Sequence, residues 1–183
     1  MNFHSTKISS LRSEFAKDTI HIVSAAMMIA LLSQIVIPLK PVPLTGQTLG
    51  ILLTAGLLGR KKGIAAVFSY ILLGTLGMPF FAGGDFGLAR LAGPTGGYLI
   101  GFAAAAYFVG FMSDRGMFRS FKTAALLMMT GNAIIYIFGV LWLSNFVGWE
   151  NVLSVGVYPF IPGDIIKILI AGSLVPIGSK YIK

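Results

Sequence analysis

Residues 123–149 read TAALLMMTGNAIIYIFGVLWLSNFVGW, without a lysine, arginine, aspartate or glutamate. A helix needs about 20 mostly apolar residues to cross the hydrocarbon of a bilayer, and this run exceeds that length. The basic residues on either side cut the chain into further runs of the same kind. Thr19–Leu39, Pro41–Gly59, Gly63–Gly84 and Leu91–Ser113 are likewise uncharged, and Ile161–Ser179 carries only Asp164 and Lys167. The expected fold class is therefore all-α, a polytopic membrane protein with six transmembrane helices.

Composition agrees. Of 183 residues, 56% are hydrophobic and 11% charged. A soluble domain has roughly 25% charged residues, so this much apolar surface needs lipid to cover it. The net charge of +8 does not imply nucleic acid, because the basic residues sit in short clusters between apolar runs. Such clusters encode membrane topology. There is no cysteine, which removes disulfides and thiolate metal sites. The first apolar run is too long for a typical signal-peptide core and lacks a small-x-small cleavage site, so it reads as a retained helix.

Four segments hold most of the positive charge: Lys7, Arg12 and Lys17; Arg60, Lys61 and Lys62; Arg115, Arg119 and Lys122; Lys180 and Lys183. With six spans these share one side, while the other loops hold only Lys40 and Arg90. The positive-inside rule then places both termini in the cytoplasm. Residues 1–18 form a cytoplasmic tail or, from the spacing of Ile8, Leu11 and Phe15, a short interfacial helix. Residues 19–183 form the transmembrane domain.

An ionisable residue inside a span is a functional candidate by default, since burying charge in hydrocarbon is costly. Pro159-Phe160-Ile161-Pro162-Gly163-Asp164-Ile165-Ile166-Lys167 enters the last helix from the outside. Asp164 and Lys167 are three apart and face the same way. They form either a self-neutralising pair at the helix start or an acceptor and a donor for a polar ligand. A second outside element, residues 82–98, is rich in glycine and contains Asp85, Arg90 and Tyr98. Arg90 can grip a carboxylate with two prongs or simply face solvent. Tyr98 reads equally as packing or as a ligand contact. Gly93, Gly97 and Gly101 suggest close helix packing. A third element, Pro41-Val42-Pro43-Leu44-Thr45-Gly46-Gln47-Thr48, reads as a re-entrant or kinked helix start that would give Gln47 and the threonines partners. Asn132 and Tyr136 are weaker candidates in the fifth helix. On the cytoplasmic side, Ala26 and Ala30 are spaced for a small-xxx-small contact, either internal or with a partner.

No Walker-type phosphate loop, H-E-x-x-H or G-x-S-x-G is present, and His4 and His21 stand far from the outside loops. No cofactor and no catalysis are expected.

The motifs Val42-Pro43-Leu44-Thr45-Gly46-Gln47-Thr48, Ala92-Gly93-Pro94-Thr95-Gly96-Gly97-Tyr98-Leu99-Ile100-Gly101-Phe102 and Pro159-to-Lys167, in this order and spacing, resemble the BioY family. These are the biotin-binding S components of energy-coupling factor (ECF) transporters. The resemblance runs from about residue 20 to the C-terminus, and Ile135–Leu143 also resembles the family's fifth helix. It implies six helices, a biotin site near the outer face, and an energising module made of a coupling subunit and two ATPases. It further implies the cell membrane of, chiefly, bacteria. Asp164 and Lys167 match the family's ligand contacts, and Ala26 and Ala30 match its docking face for the coupling subunit. The ligand's ureido ring would meet Asp164 and Lys167. Its carboxylate would meet Arg90 or Lys40, with Gln47 or Tyr98 adding hydrogen bonds. The loops after helices one, three and five would gate the site. An S component for another vitamin and a stand-alone biotin facilitator are the alternative readings.

Overall fold

With no water inside a bilayer, a spanning segment must satisfy its own backbone polar groups, and helices do so. A computed structural model describes the backbone of residues 3–182 and the side chains of residues 12–179 and 181. The elements run α1 (Phe3–Ser33), β1 (Val36–Ile37), β2 (Leu44–Thr45), α2 (Gln47–Thr75), α3 (Leu88–Ala92), α4 (Gly96–Asp114), α5 (Phe121–Val147), α6 (Val152–Gly156) and α7 (Ile161–Ile182). Among the described residues, four stretches are long and apolar enough to cross a membrane: Arg12–Ser33, Gly96–Asp114, Phe121–Val147 and Val152–Ser179. The protein is a mostly helical, multi-pass membrane protein.

Element α2 is two helices in one. Gly59 sits at φ 75° and ψ −175°, outside the helical region. A Cβ placed on Gly63 would lie 3.0 Å from the Cα of Ala55. In a continuous helix those positions would be about 12 Å apart. The chain therefore folds back at Gly59, and residues 47–58 lie against residues 60–75. The basic run Arg60-Lys61-Lys62, expected as a loop between two helices, instead opens the second half. That half ends at Thr75 rather than Gly84. Gly77, Gly83 and Gly84 adopt positive φ, and Pro79 has no N–H to donate, so helix cannot continue there.

Two other boundaries depart from expectation. α1 stops at Ser33, not Leu39, and Val36–Ile37 pairs antiparallel with Leu44–Thr45 around Pro41 and Pro43. Those prolines exclude a helix, and the β-branched Val36 and Ile37 suit an extended ribbon. Of the element expected as a re-entrant or kinked helix start, Leu44–Thr45 is a short strand and Gln47 and Thr48 open α2, so the helical expectation holds apart from this ribbon. The fourth expected helix is split by Gly93-Pro94 into α3 and α4. At the other end, α1 begins at Phe3 and runs to Ser33. Phe15 is exposed, while the side chains of Ile8 and Leu11, named for an interfacial face, lie outside the described residues.

Helix α4 is the most buried of the four long stretches, with Ala105, Ala106 and Val109 fully covered. A Cβ on Gly101 would sit 2.9 Å from the Cα of Ile135, and one on Gly97 would collide with Trp142. These two glycines let α4 and α5 pack backbone to backbone. Gly93 lies before α4 and meets α5 differently, its carbonyl accepting from the Trp142 indole N–H at 2.9 Å. A Cβ on Gly110 would meet the Cα of Arg60 at 2.6 Å, which seats the Gly59 turn on α4.

The basic segments gather at one end. Lys62 Nζ is 2.8 Å from Asp18, and the Arg60 amide donates to Asp114 at 3.1 Å. Leu57 packs on Gly178 of α7, and Phe121 at the start of α5 packs on Gly172. The ribbon, the loop before α4 and the loop before α7 occupy the opposite end. Ala26 and Ala30 are only 2% and 6% exposed, so their side chains pack inside the chain. The open face of α1 is Ile20, Val23, Met27 and Leu31.

Candidate functional site

Three connections, each stopped from being helix by proline or glycine, converge at the end opposite the basic cluster. They enclose a cleft that stays open at its mouth, the concave and mostly apolar kind of site that small molecules occupy. The ribbon and the start of α2 supply Val42, Pro43, Thr45 and Gln47. The segment before α4 supplies Phe81, Ala82, Arg90 and Thr95. Tyr98, Leu99 and Phe102 come from α4, Tyr136 from α5, and Phe160 from the turn before α7.

The walls are aromatic. The Phe160 ring lies between Tyr98 and Tyr136, with centroids 6.5 and 6.4 Å away. The Tyr98 hydroxyl donates to the Gly156 carbonyl at 2.8 Å, which ties α4 to the loop before α7. Tyr98 therefore offers the cleft its ring. Across the cleft, the Gln47 side-chain amide donates to the Tyr70 hydroxyl and its oxygen accepts from Thr45 at 3.0 Å. Tyr70 in turn packs edge-on against Phe81 at 5.7 Å. Gln47 is thus held rigid at the wall.

Asp164 and Lys167 do meet, at 3.1 Å, as their spacing implied. They are not lining residues. Asp164 is 6% exposed and lies behind Tyr136, whose hydroxyl donates to its second oxygen. Lys167 also donates to Thr48 at 2.9 Å, linking the start of α7 to the start of α2. The buried pair is neutral as a unit and shares its hydrogen bonds with Tyr136 and Thr48, which offsets part of the cost of burying charge. Arg90, by contrast, reaches the cleft from α3 and forms an ion pair with Asp85 in a half-exposed setting.

The structure thus brings Gln47, Arg90 and Tyr98 to the wall and sets Asp164 and Lys167 one layer behind it. Lys40, the other cation proposed for a carboxylate, is exposed on the ribbon and does not line the cleft. Tyr136, read only as a weak candidate, is the link between wall and charge pair. Phe81 was missed, because nothing in the run Phe80-Phe81 says which ring turns inward. Gly74 decides it: a Cβ there would strike the Phe81 ring. Asn132, one turn before Tyr136, is 5% exposed with neither amide atom hydrogen-bonded. No cluster of metal-ligating side chains occurs among the described residues.

A helical membrane protein with a mostly apolar cleft at one end, polar groups spaced around it and an ion pair behind it is a small-molecule binding protein of the membrane. The chain belongs to the BioY family, whose model matches residues 4–183. It is 41% identical over 145 residues to a Pyrococcus horikoshii protein named "Probable biotin transporter BioY", covering 78% of this chain and 85% of the relative. It is 41% identical over 136 residues to the "Biotin transporter BioY" of Thermotoga maritima, covering 74% and 79%. Among solved structures it matches the S-component for biotin from an ECF-type ABC transporter, with a TM-score of 0.80 and 28% identity over 93% of this chain and 98% of that one.

Proposed function

We propose that this chain is the substrate-binding subunit of a biotin uptake transporter. It takes biotin from outside and delivers it inward when docked on an ATP-driven ECF module of one coupling subunit and two ATPases. Catalysis, in this reading, belongs to the module alone. The membrane is the cell membrane, crossed six times by α1, the two halves of α2, α4, α5 and α7, with both termini in the cytoplasm. The gathering of the basic segments at one end supports that orientation.

The observation that carries the ligand reading is the polarity of the cleft. Arg90 reaches in from the loop side, aromatic walls fill the middle, and Tyr136 backed by Asp164 and Lys167 closes another side. Biotin has the complementary layout: a carboxylate on a flexible apolar chain, an apolar bicycle, and a ureido group with two N–H donors and one carbonyl acceptor. Arg90 is assigned to the carboxylate. Tyr136, Asp164 and Lys167 are assigned to the ureido group, and Tyr98 and Gln47 to the walls around it. Docking on the coupling subunit is assigned to the open face of α1, with Ala26 and Ala30 packed behind it.

Equilibrium binding to purified, detergent-solubilised protein tests the reading, with thiamin and riboflavin as controls. Tight binding of biotin alone is expected. A well-folded sample that ignores biotin, or that prefers another vitamin, would overturn the assignment. Uptake into vesicles lacking the module would reassign the chain as a facilitator.

A further inference from the structure

We propose that Asp85 is an internal stand-in for the ligand's carboxylate: it occupies Arg90 while the site is empty and yields it to an anionic ligand. The inference rests on the reading of Arg90 as the carboxylate contact.

Arg90 lines the cleft, yet its guanidinium is already engaged by the carboxylate of Asp85. The two side chains are 41% and 36% exposed. An ion pair in that setting is weak, because water and salt compete for both charges. A ligand carboxylate carries the same charge and the same two-oxygen geometry as Asp85, so it can replace Asp85 without leaving Arg90 uncompensated. A neutral amide at the end of the same ligand cannot.

The loop that carries Asp85 leaves its side chain room to move. Gly83, Gly84 and Gly87 all sit at positive φ, a region glycine enters without steric cost. A Cβ at Gly83 or Gly87 would meet nothing within 4 Å, and one at Gly84 only the Gln34 side-chain oxygen at 3.8 Å, so there is open space around Asp85. Its ties are few. The Asp85 carbonyl accepts from the amide of Phe81 at 2.9 Å, and its Oδ1 accepts from the amide of Phe86 at 2.8 Å. Phe81 is itself a wall residue, so Asp85 is coupled to both the cation and the wall. Its effect is on selectivity: Asp85 lowers the affinity for a carboxylate ligand by having to be displaced, and it leaves the affinity for a neutral analogue untouched.

The test is the affinity of Asp85→Asn and Asp85→Ala for biotin and for biotinamide, its neutral carboxamide, by equilibrium binding in detergent. Biotin is expected to bind roughly two- to five-fold tighter, the scale of one exposed ion pair, with biotinamide unchanged. Weaker or unchanged biotin binding would overturn the proposal, since a residue that merely positions Arg90 gives that sign. Loss of biotinamide binding in both variants would overturn it too, marking Asp85 as a structural part of the loop. Arg90→Gln separates the two layers. If it leaves the ratio of biotin to biotinamide affinity unchanged, the Arg90 assignment fails. If it collapses the ratio while Asp85→Asn is silent, Arg90 stands and the stand-in falls.

Discussion

Tyr136 lines the cleft and donates its hydroxyl hydrogen to Asp164, which does not line it. The other oxygen of Asp164 is held by Lys167 at 3.1 Å. With its only hydrogen turned toward the carboxylate, the Tyr136 oxygen is left as an acceptor polarised by a negative charge. That suits a ureido N–H.

Tyr136→Phe is therefore expected to weaken biotin binding while the protein stays folded. A hydrogen bond between neutral groups is worth about 0.5–1.5 kcal/mol, or roughly 2- to 13-fold in affinity. Isothermal titration of the purified variant checks it. An unchanged affinity would move the ureido group away from this side of the cleft.

The charge pair makes a prediction in which binding and stability part company. Asp164→Asn and Lys167→Ala are both expected to abolish binding with the protein still inserted. Lys167→Ala also leaves the Asp164 carboxylate buried without its cation, a change that typically costs about 3–5 kcal/mol. Replacing both residues with leucine removes the uncompensated charge and should recover most of that stability without recovering binding. Thermal unfolding in detergent beside biotin binding reads both quantities. A double variant that still binds would remove the pair from the site.

Much of this was legible in the sequence because the signals are local. Uncharged runs gave the long helices, and the three-residue spacing of Asp164 and Lys167 gave their contact. What escaped depends on tertiary context. Small-residue spacing at Ala26 and Ala30 says that something packs closely there, not whether it is inside or outside the chain. Nor does hydrophobic periodicity reveal that the chain reverses on Gly59 alone, because both halves of α2 are apolar all round. Tyr136 reads from sequence only as a weak site candidate that packing would explain, and it takes the fold to set Asp164 behind it.

Gly59 makes that reversal possible, and its replacement is expected to be costly. At φ 75° and ψ −175° a Cβ is strained, at roughly 1–3 kcal/mol for so sparsely populated a backbone conformation. The added carbon would also collide with the Asp114 carboxylate, which accepts from the Arg60 amide at 3.1 Å. Gly59→Ala should therefore lower thermal stability by more than the backbone strain alone. Asp114→Ala combined with Gly59→Ala should lose less than the two single changes summed, because the collision is then gone. Unfolding curves of the three variants measure it, and strict additivity would remove Asp114 from the explanation.

The number of spans rests on the first half of α2. Residues 47–58 make about 18 Å of helix, against a hydrocarbon core of about 30 Å. A segment that short crosses only with help from the extended ribbon before it or from a thinned bilayer. Six spans require that it does cross, so Lys40 and Lys61 must lie on opposite faces of the membrane. The chain has no cysteine, which makes single cysteines clean reporters. Lys40, Lys61, Arg119 and Glu150 are all exposed. With a membrane-impermeant maleimide on intact cells, Lys40→Cys and Glu150→Cys are expected to label, and Lys61→Cys and Arg119→Cys only after permeabilisation. Labelling of positions 40 and 61 from the same face would make the first half of α2 re-entrant. The chain would then cross five times, and its two termini would face opposite sides of the membrane.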